Sequence, residues 1–289
     1  MSLPAAIGSR LDSRLETRGG TPGTRLDSRL GTRLGTGASV LMMGWLTAVL
    51  VVDSEGSLTT QRLLGVATWI VLLGALRACD PLVRTQTLVV VAFATMVEYT
   101  FSPGLEAYLY RFDNVPAYVP PGHGLVYLSA FALGHSPWVR RRLRLACVVV
   151  LVPLGLWAAH GLLVAERPDA LGAVWFACLV GFVLWGPSRE VYVGAAVVVT
   201  WLELAGTELG TWVWQSEDPL GWLSIGNPPS GAAGGYGWFD LVALLAAPVL
   251  LGWWSAARGR VRRRVRDPAA AAPTGPPPPV PEVPDAAGR

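Results

Sequence analysis

Two glutamates end matching hydrophobic stretches of this chain. Glu98 ends TLVVVAFATMVEY, Glu203 lies near the end of VGAAVVVTWLELA, and each follows an arginine, Arg84 or Arg189, by 14 residues. A carboxylate in a membrane helix costs about 2.5–3.5 kcal/mol at the bilayer centre, so it is normally retained for a function. The spacing predicts two matching halves that share one acidic site.

The residue types around this pair are those of acid/base chemistry. Burial of two carboxyl groups lets one donate a proton while the other stays ionised and stabilises positive charge. Such a pair can protonate an alkene and then stabilise or deprotonate the carbocation. His123, His160 and Asp240 fall at the same membrane level as the glutamates, and the predicted catalytic set is Glu98, Glu203, His123 and Asp240. The same groups are ligands for a divalent cation, but no HxxxH or ExxH spacing occurs, so no metal site is predicted.

Each of these residues also has a structural interpretation. The two glutamates can reach the headgroup region or pair with an arginine. Asp240 can cap the N-terminus of the last span. His123 follows Pro-Pro-Gly at the start of span 4, where it can act as a cap or form a structural hydrogen bond. His160 suits a packed helix position.

The segments that follow the glutamates combine aromatic residues, Pro-Pro pairs and glycines. This composition favours ordered backbone that covers a cavity, although compact caps that seal a bundle have the same composition. The predicted substrate-binding residues are Tyr108, Tyr110, Arg111, Asn114, Trp212, Trp214 and Asn227. Arg111 and Asn114 suit an anionic headgroup or a local turn equally well.

Composition places these residues in a membrane protein. The 289 residues are 52% hydrophobic and 15% charged, with thirteen tryptophans and a mean hydropathy of +0.43, which is too apolar for a soluble domain. The arginines cluster beside apolar runs, where anionic lipid headgroups are the expected counter-charge, so membrane lipids are predicted partners and nucleic acid is not.

The predicted fold class is all-α, a polytopic bundle of transmembrane helices. Eight apolar spans are predicted, although spans 1 and 4 are short enough to allow six or seven crossings. The spans are 38–52, 63–78, 85–101, 123–138, 145–164, 170–186, 191–206 and 237–257. With eight spans, and with the leader and the Pro-rich tail left out of the count, thirteen arginines fall on the side of the termini and three on the other. This distribution predicts a bacterial inner-membrane protein with both termini in the cytoplasm.

The order of features repeats along the chain. Glutamate, aromatic pair and Pro-Pro recur at offsets of 105, 104 and 108 residues, which predicts two parallel four-helix repeats, 37–139 and 140–258, unless the similarity is chance. The Arg/Gly/Thr-rich leader 1–36 is predicted to be disordered, and 259–289 is a basic, then Pro/Ala-rich, cytoplasmic tail.

One segment, NVPAYVPPGHGLVYL, resembles an uncharacterised family of bacterial polytopic membrane proteins. More faintly, ELAGTELGTWVW followed by LGWLSIGNPP is similar to patterns in carotenoid hydratases and small membrane lycopene cyclases. The cyclases' PxEE element is absent, and Asn227-Pro228-Pro229 stands near its place. The similarity implies intramembrane carboxylates that act on polyene double bonds.

The predicted function is therefore an enzyme that acts on an isoprenoid or other lipid at the outer side of the membrane. Two alternatives are a transporter built from repeats and a non-catalytic assembly or scaffold subunit that binds a protein through the Pro-rich tail. No cofactor is predicted, and the Walker A, GxGxxG, GxSxG and HExxH motifs do not occur.

Overall fold

The computed structural model describes the backbone of residues 22–266 and the side chains of residues 35–258. Its helices are α1 (Pro22–Glu55), α2 (Leu58–Ala78), α3 (Pro81–Tyr99), α4 (Val119–Gly134), α5 (Pro137–Arg141), α6 (Leu143–Leu163), α7 (Ala170–Trp185), α8 (Arg189–Glu208) and α9 (Ala232–Arg266). A π-helical turn, Thr100–Gly104, continues α3, and two short strands are β1 (Tyr108–Tyr110) and β2 (Trp212–Trp214). Residues 22–266 form an all-α bundle apart from this strand pair.

In the part of the chain that the structure describes, six helices are long and apolar enough to cross a membrane, which fits a multi-pass membrane protein. They are Gly35–Glu55, Leu58–Ala78, Pro81–Gly104, Leu143–Leu163, Arg189–Glu208 and Ala232–Arg258. Helix α7 is apolar but shorter, and α4 has 16 residues, which is about 24 Å of helix. Every predicted span overlaps one of these eight helices, and the count of eight crossings stays a prediction.

Side chains at the helix ends explain where the helices begin and stop. The Asp80 carboxylate accepts a hydrogen bond from Leu82 N (2.8 Å) at the start of α3, where Pro81 stands in the first turn. The Arg84 guanidinium then donates to Cys79 O (2.8 Å) at the end of α2. Arg189 does the same for α7, donating to Leu184 O (3.1 Å). The arginines thus cap the preceding helices, and among the described side chains neither Glu98 nor Glu203 pairs with an arginine.

Helix α1 begins inside the segment for which composition predicts disorder. Gly35 divides it, with a φ of 53° in the left-handed region that glycine adopts without strain. Residues 1–21, in the rest of the leader, lie outside the described residues. So do residues 267–289, which include the Pro-rich tail, and the predicted tail partner stays a prediction.

Two helices of the first half of the chain pack against two helices of the second half. Helix α4 packs against α8, and α9 packs against α3. Glycine allows the first of these close approaches, because a Cβ on Gly194 of α8 would collide with the carbonyl oxygen of Ala130 on α4. Small residues at helix crossings are the usual solution inside membranes, where close backbone contact provides the attraction.

The segments after α3 and α8 meet as a two-stranded antiparallel ribbon. Tyr108 pairs with Trp214, Leu109 with Val213, and Tyr110 with Trp212. Alternate residues of a strand face opposite sides, so the four rings form one buried face and Leu109 and Val213 the other. The ribbon covers the end of the bundle at which α3 and α8 end and α4 and α9 begin.

Candidate functional site

Glu98 and Glu203 lie beneath the ribbon at the same end of the bundle. Each is in the last turns of its helix, α3 or α8, and their exposed fractions are 5% and 3%. Both line one cavity of about 580 Å³, together with His123 of α4 and Tyr236 of α9. Three of the four predicted catalytic residues therefore share one site.

The carboxylate of Glu98 is surrounded by residues of its own half. Its Oε2 accepts hydrogen bonds from the hydroxyls of Tyr108 (2.8 Å) and Tyr110 (2.9 Å), which are the aromatic pair of β1. Its Oε1 lies 2.7 Å from Nε2 of His123. The Nδ1 of His123 is buried and has no hydrogen-bond partner among the described residues.

Glu203 is held in the same pattern by different side chains. Its Oε2 accepts from the indole nitrogens of Trp212 and Trp214, both at 3.1 Å, which are the aromatic pair of β2. Its Oε1 accepts from the hydroxyl of Tyr236 at 3.2 Å. In each half, one carboxylate oxygen accepts hydrogen bonds from the two aromatic side chains of the strand. The other oxygen is hydrogen-bonded to a side chain of the helix that follows the strand.

The ribbon brings the two sets of side chains into contact. The rings of Tyr108 and Trp214 are 4.5 Å apart between centroids, and the ring of His123 lies 5.2 Å from that of Tyr236. The close approach of Trp212 to α8 depends on Gly206, because a Cβ at that position would collide with the indole ring.

Burial keeps the phenols of the ribbon in their donating form. Burial first, and the neighbouring Glu98 second, raise the pKa of both Tyr108 and Tyr110 well above the ordinary value for tyrosine. Both hydroxyls therefore remain protonated and donate to Glu98 at neutral pH.

Two buried aspartates tie the connecting segments to the bundle. Asp53, near the end of α1, accepts from the hydroxyl of Tyr118 (2.8 Å), the residue before α4, and from the amide of Gln61 (3.1 Å). Asp169, before α7, accepts from Gly226 N (2.9 Å) and from both N and Oγ of Ser230 (2.7 Å each). Each half thus fixes the approach to α4 or α9 through one aspartate.

Most of the cavity wall is apolar. No described arginine lines the cavity. The charged or titratable residues of its wall are Glu98, Glu203, Asp218, His123, Tyr108, Tyr110, Tyr118 and Tyr236. Its volume lies within the ~300–1,000 Å³ range of ligand pockets. In residues 35–258, no three His, Cys, Asp or Glu side chains are placed to hold a metal ion.

Four predicted site residues do not line the cavity. Asp240 is buried within α9, and because that helix begins at Ala232, the expected role of Asp240 as an N-terminal cap is wrong. Arg111 donates to Gly56 O (3.3 Å), and Asn114 donates to the side chain of Gln61 (2.9 Å). Asn227 positions the ribbon, since its Oδ1 accepts from Trp214 N at 3.0 Å.

His160, which was expected at the same membrane level as the glutamates, is exposed on α6 and does not line the cavity. The remaining predicted residues, Tyr108, Tyr110, Trp212 and Trp214, line the cavity. Their hydroxyl or indole N–H groups donate to the glutamates, so a ligand in the cavity would contact their rings.

Sequence reasoning missed Tyr236, Asp53 and Asp169. Tyr236 is the fifth residue of α9, as His123 is of α4, but its place shows only once both helix starts are known. The signal in the sequence was weak, because the glycine-rich stretch GAAGGYG does not favour a helix. Close packing between α9 and α7 explains the glycine despite its low helix propensity, because a Cβ on Gly234 would collide with Trp175 O of α7.

No protein-family model matches this chain, and neither a curated protein nor a solved structure matches it.

Proposed function

We propose that this protein is a membrane enzyme that acts on an isoprenoid or another apolar lipid by acid/base chemistry. One observation carries the proposal: two buried glutamates, each held by three hydrogen-bonding partners, line the same apolar cavity. The partners are phenols, indoles and an imidazole instead of arginines. A site of this kind favours positive charge that develops on an apolar substrate.

The partners differ in a way that divides the roles. An indole N–H only donates, so Oε2 of Glu203, between two indoles, must act as an acceptor. Glu98 faces His123, whose ring nitrogens can give or take a proton. In the proposed mechanism the Glu98–His123 pair is the proton donor, and Glu203 is the ionised carboxylate.

The reaction begins when Glu98 transfers its proton to one carbon of a double bond. The π electrons form the new C–H bond, and the neighbouring carbon becomes a carbocation that faces the carboxylate of Glu203 and the aromatic rings of the ribbon. Glu203 then removes a proton from an adjacent carbon, and those C–H electrons form a new double bond. The cycle closes when Glu203 loses its proton to water and the Glu98–His123 pair regains one.

The proposal includes the membrane arrangement predicted from the sequence: eight crossings, two parallel repeats and both termini in the cytoplasm of a bacterial cell. Support for the repeats comes from His123 and Tyr236, each the fifth residue of its helix and each bonded to the glutamate of its own half. The exchange of packing partners, α4 with α8 and α9 with α3, is what a two-fold axis along the bundle would produce.

Transport and assembly are the alternative functions. A transporter needs a path from the cavity to the other end of the bundle, where α4 and α8 touch backbone to backbone at Gly134 and Gly194. A scaffold role leaves the matched carboxylates unexplained. An enzyme accounts for both the cavity and the pair.

The test measures how fast deuterium from the solvent is incorporated into a lipid. Comparing lipids from deletion and wild-type cells by mass spectrometry identifies what accumulates, and this fraction is then incubated with the purified protein in nanodiscs in D₂O. We expect deuterium at a carbon of the product, and a rate at least about 100-fold lower in Glu98→Gln and in Glu203→Gln.

Glu208→Gln is the matched control, because Glu208 is an exposed carboxylate on the same helix as Glu203. It should exchange deuterium at the wild-type rate. Wild-type rates in both Glu98→Gln and Glu203→Gln would overturn the proposal.

A further inference from the structure

Part of the cavity wall is formed by apolar residues that are also exposed at the surface. Four of its lining residues are large, apolar and exposed: Phe101, Leu105, Leu220 and Trp238. Phe101 and Leu105 lie in or directly after the π-helical turn, Leu220 lies in the loop between β2 and α9, and Trp238 lies on α9. We call these four residues the mouth.

The corresponding side of the other half is closed. Trp238 is the seventh residue of α9 and is 48% exposed, whereas Leu125, the seventh residue of α4, is fully buried. Helix α1 covers α4 there and contributes Leu46, Val49 and Leu50 to the cavity wall. Helix α6 stands in the corresponding place of the second half, but it packs on α7 and α8. This difference leaves α9 uncovered at Trp238.

No described arginine lines the cavity or its mouth. Arg167, in the segment between α6 and α7, donates to the carbonyl oxygens of Trp214 (2.7 Å), Gln215 (2.6 Å) and Ile225 (2.7 Å). The lining carboxylates are Glu98, Glu203 and Asp218. A phosphate group would meet these carboxylates, and His123, the basic side chain of the lining, is already paired with Glu98, so binding a phosphate is unfavourable.

Two of the four mouth residues belong to the part of the fold that is apolar enough to lie in a bilayer. Phe101 and Trp238 belong to helices that are long and apolar enough to span, so an apolar chain can pass from lipid to cavity without crossing water. A water-facing path would expose the same residues at a cost of about 25 cal/mol for each Å² of apolar surface.

We propose that the cavity takes one uncharged isoprenoid-type chain sideways from the bilayer through this mouth and rejects the same chain when it carries a phosphate. The inference rests on the proposed function for the role of the site, but binding itself does not require turnover. It narrows the substrate class from lipids in general to chains without an anionic headgroup.

The test is photocrosslinking in liposomes of zwitterionic lipid. The probes are a diazirine derivative of geranylgeraniol and the monophosphate of the same derivative, and labelled peptides are mapped by mass spectrometry. We expect the alcohol to label the peptides that contain Leu220 and Trp238, and the monophosphate to label them about tenfold less. Equal or stronger labelling by the monophosphate, or alcohol labelling confined to α6, would overturn the inference.

A charge placed in the mouth should change this preference. Leu220→Arg adds a cation at a loop position that is 66% exposed, so folding is not expected to suffer. We expect it to reduce labelling by the alcohol and to restore labelling by the monophosphate by about tenfold. Val213→Arg is the matched control, because Val213 is exposed on the outer face of the ribbon and does not line the cavity. An identical change of preference in both variants would show that general surface charge, and not the mouth, decides it.

The two proposals fail separately. Labelling of the mouth by the alcohol without deuterium exchange into any lipid supports the binding inference and contradicts the proposed chemistry. Turnover of a phosphorylated lipid that depends on Glu98 supports the chemistry and contradicts the inference. The Glu98→Gln/Glu203→Gln double variant should still bind the alcohol, and its preference for the alcohol over the monophosphate should fall, because the negative charge of Glu203 is gone.

Discussion

His123 and Tyr236 are the fifth residues of α4 and α9, and their rings lie 5.2 Å apart between the two glutamates. His123 is bonded to Glu98 and Tyr236 to Glu203, so the two carboxylates are linked through one ring contact. The two halves thus use the same backbone position with different chemistry. Imidazole can exchange a proton with its carboxyl group, whereas the phenol of Tyr236 mainly holds its carboxylate in place.

Replacing His123 tests this division. His123→Phe keeps a ring beside Tyr236 but removes the nitrogen that faces Glu98, and we expect deuterium exchange to fall by about 100-fold or more. Asp240→Asn is the matched control, since Asp240 is buried but does not line the cavity, and it should stay within about threefold of wild type. A loss in the Asp240 variant as large as in His123→Phe would return Asp240 to the catalytic set.

The absence of a Cβ at Gly206 allows Trp212 to reach Glu203. A Cβ there would collide with the ring of Trp212, so Gly206→Ala should displace the indole and remove a hydrogen bond from Glu203. We expect the free energy of unfolding to fall by about 1–3 kcal/mol. Steric trapping in bicelles measures this quantity.

The double variant Gly206→Ala/Trp212→Ala is the control, because truncation removes the clash. If the collision is the cause, the cost of Gly206→Ala should largely disappear in the Trp212→Ala background. An undiminished cost would mean that the glycine serves another contact.

Asp169 should be needed for the position of the ribbon. Its carboxylate accepts four hydrogen bonds, from Gly172, Gly226 and twice from Ser230. Asp169→Ala leaves these donors buried and unpaired, and we expect a loss of about 3–5 kcal/mol with faster proteolysis of the segment between β2 and α9. Asp218→Ala, an acidic residue of that segment, should have a much smaller effect on the unfolding energy. Equal effects would contradict the anchoring role of Asp169.

The crossing of α4 and α8 should tolerate no side chain at Gly194. Gly194→Leu places atoms against the carbonyl oxygen of Ala130, and we expect it to cost at least about 2 kcal/mol. Gly74→Leu on α2 is the matched control, because nothing lies within 4 Å of a Cβ there and leucine favours a helix. Thermal unfolding in detergent should separate the two variants. Similar midpoints would show that the crossing is loosely packed.

The boundaries of α4 and α9 show why part of the site escaped prediction. Span 8 was predicted from residue 237, but α9 begins at Ala232, so Asp240 lies two turns inside the helix and Tyr236 faces the cavity. Span 4 was predicted from residue 123, but Pro120 and Pro121 stand in the first turn of α4. Proline suits that turn because it has no N–H to donate. Four or five additional residues lengthen a helix by about one turn, roughly 6–7.5 Å, and so change how far each side chain lies from the start of the helix.

The sequence by itself determined the apolar helices, the two glutamates at their ends and the aromatic pair that follows each glutamate. These are local patterns, and hydrophobic spacing and residue type are sufficient to identify them. Only the tertiary structure decided that Tyr108 pairs with Trp214, that Asp53 holds Tyr118, and that Trp238 is exposed while Leu125 is buried. Those contacts join residues that are distant in the chain, and packing between whole helices, which single-chain periodicity does not encode, selects them.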